Sequence, residues 1–237
     1  MSNANIILLV YEGEKSEPKY IKSLIQKTDI NIKGEIIETA FCNNIYGLCN
    51  LTRSFDTAED KIYELFKKQK LKTLSNSERS IPTKEEISEI YLFFDYDKHA
   101  PNADNDQIRT MLNEFNDETE QGKLYISYPM LEALRDKENS VFKIKSGRKY
   151  KENIGNTGVE NIARLDEEKF NVLILEHLKK ANYLVNRKYQ MPDNLIEQSD
   201  IFTQQLKQHI TPYEEVAVLS ALPLFYLDYK GVNNIAL

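Results

Sequence analysis

Two periodicities of apolar residues take turns along this chain. Asn5 to Tyr11 (NIILLVY) is almost unbroken apolar sequence, which predicts a strand buried on both faces of a parallel sheet. Glu12-Gly13 ends it, and Glu17-Pro18 opens a helix through about Gln26, with proline in a tolerated first-turn position. A second strand is predicted over Glu35 to Ala40. A helix follows over Thr57 to Lys68, where Ile62, Leu65 and Phe66 share a face. Lys70 to Glu86 is polar and reads as a surface loop. Ile90 to Phe94 (IYLFF) predicts a third buried strand, stopped by Asp95-Tyr96-Asp97. A helix over Asp106 to Asn116 and a strand over Lys123 to Ser127 come next. Tyr128-Pro129 then leads into a short helix carrying Met130, Leu131 and Leu134.

Apolar strands alternating with amphipathic helices predict an α/β fold with a mostly parallel sheet flanked by helices. Past Lys137 the pattern changes. A polar stretch to Asn161 precedes helices predicted over Glu167 to Ala181, Glu197 to His209 and Glu214 to Ala221. The expected organisation is therefore a core domain over 1–140 and a basic loop with a helical C-terminal extension over 141–237. The extension is expected to pack on the same core.

Composition changes this picture little. The 237 residues fit one large domain or a core with an extension, and 41% hydrophobic with 29% charged residues is ordinary for a globular chain. No apolar run reaches the roughly 20 residues a membrane span needs. Val216 to Leu227, interrupted by Pro223, reads as core, and the run at Ile6 is too short for a signal peptide. Cys42 and Cys49 make neither a disulfide framework nor a Cys₄ zinc site, so they are expected to be buried small hydrophobes in a cytoplasmic protein. A net charge of -6 argues against a protein that coats DNA. It leaves room for a nuclease with a local basic strip and a bound cation.

The candidate chemistry lies at strand ends. Glu12 follows the first buried strand, and Asp95 and Asp97 follow the third. The C-terminal edge of a parallel sheet is where such folds bind ligands. Alternation places Asp95 and Asp97 on one side and Tyr96 on the other. Carboxylates gathered there repel one another unless a cation neutralises them, and an all-oxygen ligand set favours Mg²⁺ or Mn²⁺. The plainer alternative is that each acid simply terminates a strand.

Here the sequence resembles a known family. LLVYEGEKSEPKYI (Leu8 to Ile21) is similar to the first motif of Toprim domains, a strand followed by Glu-Gly, and YLFFDYDKH (Tyr91 to His99) to the second, a strand followed by Asp-x-Asp. The Glu-Gly-Glu-Lys-Ser-Glu-Pro variant is closest to RloB-like and OLD-type Toprim proteins of bacterial phage defence. SYPMLEALRD (Ser127 to Asp136) resembles a third element of those proteins, a strand end followed by a helix bearing a glutamate. The likeness covers about residues 5 to 136. It implies a metal-dependent nuclease: Glu12 as metal ligand or general acid/base, Asp95 and Asp97 as paired ligands, Glu17 and Glu132 as ligands of a second metal or an outer shell. Glu17 lies one residue further from Glu12 than in some OLD-type enzymes. It is equally placed to complement the start of its helix, as Glu132 is to be a solvated helix residue. The likeness also implies nucleic acid, DNA or RNA, as substrate and an ATPase as partner. A homo-oligomer is compatible with the same reading.

Phe142 to Lys151 (FKIKSGRKYK) gathers five basic residues, Lys143, Lys145, Arg148, Lys149 and Lys151. It is the candidate phosphate-binding strip, with Tyr150 placed to stack on a base; otherwise it is a solvated loop. His99, His177 and His209 are scattered and read as ordinary. Gly-x-Ser-x-Gly, Walker and Gly-x-Gly-x-x-Gly motifs are missing, which argues against α/β-hydrolase-fold, P-loop NTPase and dinucleotide-binding readings. A haloacid-dehalogenase-like phosphatase would carry its Asp-x-Asp after the first strand, and a nucleotide-sugar transferase would leave Glu12 unexplained. The alternatives kept are another metal-dependent nucleotide or phosphoryl-transfer enzyme and a catalytically silent Toprim scaffold.

Overall fold

Ile6–Tyr11 forms strand β1, and all six of its residues are buried. Burial on both faces requires a neighbour on each edge, because buried main-chain N–H and C=O groups must be paired. The computed structural model, which describes residues 5–52, 62–68, 81–98, 100–144, 150, 154 and 161–235, supplies both. β1 pairs in parallel with β2 (Glu35–Ala40), from Ile6 opposite Glu35 to Tyr11 opposite Ala40. On its other edge it pairs in parallel with β3 (Ile87–Asp95), ending at Tyr11 opposite Phe93. β4 (Asn116–Asp117) and β5 (Gly122–Ser127) form an antiparallel pair. The sheet order is β2-β1-β3-β5-β4, a mostly parallel α/β sheet flanked by helices. Gly122 joins β4 to β5 at φ +106, and a Cβ there would lie 2.8 Å from Leu92 Cδ1, so both backbone and packing require glycine.

The helices are α1 (Glu17–Lys27), α2 (Ile45–Thr52), α3 (Asn105–Glu114), α4 (Glu167–Asn186), α5 (Gln198–Gln205) and α6 (Leu222–Lys230). Residues 62–68 are helical too, with Ile62, Leu65 and Phe66 buried. Asp104 caps α3 through the Asp106 N–H and Asp166 caps α4 through the Lys169 N–H.

The chain divides into two compact units. One comprises Met1–Pro18, Ile32–Phe94 and Ala100–Leu124. Its core is β1 with Ile45, Leu48, Phe66, Ile108, Met111 and Leu112, and α2 packs on α3. The other comprises Lys19–Asn31, Asp95–His99 and Tyr125–Leu237. In it α4 packs on α5, on α6 and on the 3-10 turn Leu131–Arg135, around Phe170, Leu173, Leu178, Phe202 and Phe225.

Departures from the sequence pattern have local causes. β3 starts at Ile87 rather than Ile90, because the Ser88 hydroxyl donates to the Ile6 carbonyl (3.0 Å) and so satisfies a polar residue within the sheet. α2 is masked in the sequence by Gly47, a poor helix former, and by Asn43 and Asn44 just before it; the Asn44 side chain accepts from the Gly47 N–H (2.9 Å) at the first turn. The segment Glu214 to Ala221 is not a helix. Glu214 is left-handed at φ 53, and Glu215–Ala217 forms β7, antiparallel to β6 (Val141–Lys143). A period-two pattern around buried Val216 won over the helical one. The buried Gln205 side chain fixes it, donating to the Ala217 carbonyl (2.8 Å) and accepting from the Ala217 N–H (2.9 Å). The predicted helix at His209 likewise ends in a π-helical turn, Leu206–Ile210.

Gln205→Leu leaves both of those main-chain groups without a partner. The variant should lose about 2–4 kcal/mol of stability in urea unfolding. An unchanged midpoint would show that the Gln205 clamp does not hold β7 in solution.

Candidate functional site

β1 and β3 run parallel as neighbours, so their C-terminal ends lie side by side in the sheet. Glu12 is the first residue past β1. Its N–H donates to the Phe93 carbonyl (3.1 Å), and its carbonyl accepts from the Cys42 N–H (2.9 Å), so its backbone is fixed from both sides. The loop after it folds back: the Gly13 N–H donates to Glu17 Oε1 (3.0 Å), and a Cβ at Gly13 would come within 3.2 Å of both Glu17 oxygens. Glu17 therefore spends one oxygen on its own loop at the start of α1. Below Glu12, the Tyr11 hydroxyl donates to Glu38 Oε1 (2.8 Å), and burial raises that phenol far above the ordinary tyrosine range.

Asp95 ends β3 and is half-buried, as is Asp97. Beyond Asp95 the backbone turns tightly rather than staying extended, with the Asp97 N–H donating to the Asp95 carbonyl (3.0 Å). Between them Tyr96 turns inward, packed on Tyr128 and Phe202 with ring centroids 5.5 and 6.3 Å away, while its N–H donates to the Ser127 carbonyl (2.9 Å).

Glu132 is buried at 7% exposure on the turn Leu131–Arg135, which corrects the solvated alternative. Beside it the Arg135 Nε donates to the Tyr20 hydroxyl (3.0 Å). Burial pushes the Tyr20 phenol up to about 12; Arg135 opposes the rise, and the carboxylates of Glu132 and Asp95 add to it. Asp95, Glu132 and Arg135 thus act on one phenol. Tyr150 is raised still further, by burial first and then by Asp136 and Glu132. It is 7% exposed and packed edge-on against Phe142 (5.1 Å), so it is not a platform for a base.

Among the described residues, no three acidic, histidine or cysteine side chains form a group that could hold a metal ion. The carboxylate oxygens of Glu12, Glu17, Asp95, Asp97 and Glu132 are donors of the kind Mg²⁺ prefers. Of the basic strip, Lys143 is exposed on β6; Lys145, Arg148, Lys149 and Lys151 lie outside the described residues, as does His99. Cys49 is buried as expected, but Cys42 is exposed, with a left-handed backbone and its Sγ 3.2 Å from Glu14 Oε1. His177 is fully buried; its Nδ1 accepts from the Ser220 N–H (3.1 Å), and desolvation keeps it neutral.

Sequence reasoning missed Tyr20 and Arg135. Arg135 lies three residues past Glu132 in the same short element, a spacing that could have flagged it; Tyr20 carries no signal of its own. No described helix is long and apolar enough to cross a membrane. Comparisons with protein-family models, curated proteins and solved structures find no match for the chain.

The buried phenols give a pH dependence. An unfolded tyrosine ionises near 10, whereas Tyr20 ionises at about 12 when folded and Tyr11 and Tyr150 higher. Above pH 10 the unfolded chain releases protons that the folded chain keeps, so stability present below pH 10 is lost as pH rises. Urea midpoints should fall between pH 10 and 11.5, and less steeply in Tyr11→Phe and Tyr150→Phe. Equal slopes in wild type and variants would refute this burial effect.

Proposed function

We propose that this chain is a metal-dependent nuclease of the Toprim type that hydrolyses phosphodiester bonds of nucleic acid, in phage defence. The observation that carries the reading is positional. Glu12 is fixed at the end of β1, and β3, its parallel neighbour, ends at Asp95, the edge at which α/β sheets bind ligands. The resemblance of Leu8 to Ile21, Tyr91 to His99 and Ser127 to Asp136 to Toprim motifs points the same way. Arg135 adds support, since its guanidinium, fixed through Nε by Tyr20, is the group that pairs best with a phosphoryl oxygen.

A bound Mg²⁺ or Mn²⁺ would supply charge neutralisation and an activated water. The reading requires Glu12, Asp95 and Asp97 to share that ion. A second reading of the same motifs is a Toprim scaffold without catalysis that works beside an ATPase partner.

Activity and stability separate the two. With Mg²⁺ or Mn²⁺ the protein should cleave at least one of plasmid, single-stranded DNA and tRNA, and EDTA, Glu12→Gln or Asp95→Asn should remove most of the cleavage. Undiminished cleavage by both variants would take these residues out of the site. A metal that binds only the folded state with a Kd of ~1 mM adds about 1.4 kcal/mol at ~10 mM, or about 3–6 °C in Tm. Asp97→Asn should lose most of that gain. No gain in the wild type, together with no cleavage, would support the scaffold reading.

A further inference from the structure

The most cationic concavity among the described cavities lies elsewhere. A cavity of about 490 Å³ opens between the C-terminal end of α4, the π-helical turn Leu206–Ile210 and β7. Its volume falls within the roughly 300–1,000 Å³ of small-molecule sites. Lys180, Arg187, Lys207 and His209 line it, and no carboxylate is among its described lining residues. In a chain with a net charge of -6 that is a marked local reversal.

The four basic groups are not equivalent. Lys180 Nζ lies 3.6 Å from Asp136 Oδ1 and also donates to the Asp136 carbonyl, and His209 Nδ1 lies 3.6 Å from Glu215 Oε1. Both are answered from behind. Arg187 and Lys207 are exposed, and neither has a carboxylate ion-pair partner among the described residues. Burial, with help from the Arg187 charge, holds His209 below its ordinary range, so the positive field at the mouth belongs to Arg187 and Lys207.

Two backbone irregularities aim those groups. Arg187 ends α4 in a left-handed conformation, φ 61, where glycine is the usual residue. Lys207 and His209 sit on the π-helical turn, an irregularity frequent at functional sites. Aromatic surface completes the lining. Tyr183 and Tyr213 are 38% and 65% exposed, and the Arg187 guanidinium lies 5.7 Å from the Tyr183 ring centroid. Exposed rings beside unanswered cations suit a ligand with a flat base and more than one phosphate.

We propose that this cavity binds a free nucleotide bearing two or more phosphates, with Arg187 and Lys207 on the phosphates and Tyr183 and Tyr213 against the base. None of the strand-end acids is among its described lining residues, and its occupation needs no metal and no cleavage.

Calorimetric titration of the full chain with ADP, inorganic pyrophosphate, adenosine and a 5′-phosphorylated oligonucleotide, all in EDTA, tests this. ADP should bind with a sub-millimolar Kd and more tightly than either pyrophosphate or adenosine. Arg187→Gln and Lys207→Gln should each weaken ADP about tenfold with Tm unchanged. Tyr213→Ala should weaken ADP but not pyrophosphate, and Glu12→Gln should bind ADP like the wild type. Absent ADP binding, or ADP binding indifferent to Arg187 and Lys207, overturns the proposal. So does an oligonucleotide that binds through the same two residues more tightly than ADP, because the cavity would then belong to a polynucleotide track.

Discussion

The placement of Glu12 and Asp95 depends on the two-sided pairing of β1. A strand whose six residues are all buried cannot leave main-chain groups unpaired, so β2 and β3 must hold its two edges. That requirement carries through to Glu12, whose N–H and carbonyl continue the bonding to Phe93 and Cys42 after the apolar run has ended. An acidic residue is thereby kept in place by its backbone at the end of the strand. The loop after it is closed by the bond from the Gly13 N–H to Glu17.

The other unit depends on buried polar groups satisfied by specific partners. Gln205 ties down β7, His177 accepts from Ser220, and Tyr125 donates to Asp228 (2.8 Å) while lying edge-on to Phe225. Such bonds add modestly to stability when made, but leaving one partner buried alone is costly. They select one arrangement of α4, α5 and α6 from the many that would bury the same apolar surface. Arg135 and Tyr20 belong to this class, and the charges of Glu132 and Asp95 act on the same phenol.

Charge is distributed unevenly for a chain with so many acids. Glu12 and Asp95 sit at strand ends, whereas Arg187 and Lys207 line a cavity without carboxylates in its described lining. Buried Lys180 shows how closely such groups are balanced. Desolvation lowers its amine to about 8, and Asp136 opposes that shift. Its charge persists at neutral pH because a main-chain carbonyl and a carboxylate of the same residue receive it.

The sequence by itself determined the α/β class, the positions of β1, β2 and α1, and the placement of Glu12 and Asp95 at strand ends. Those features follow from runs and periods of a few residues, which main-chain geometry turns directly into strands and helices. It did not determine the strand β7, because Val216 suits a strand or a helix equally until Gln205, a dozen residues away, accepts and donates at Ala217. It also could not show the burial of Glu132 and Tyr150, or the Arg135–Tyr20 bond across more than a hundred residues of chain. Burial and charge environment are set by what packs against a residue from distant segments. Only the tertiary structure decided them, and with them the cationic cavity at the end of α4.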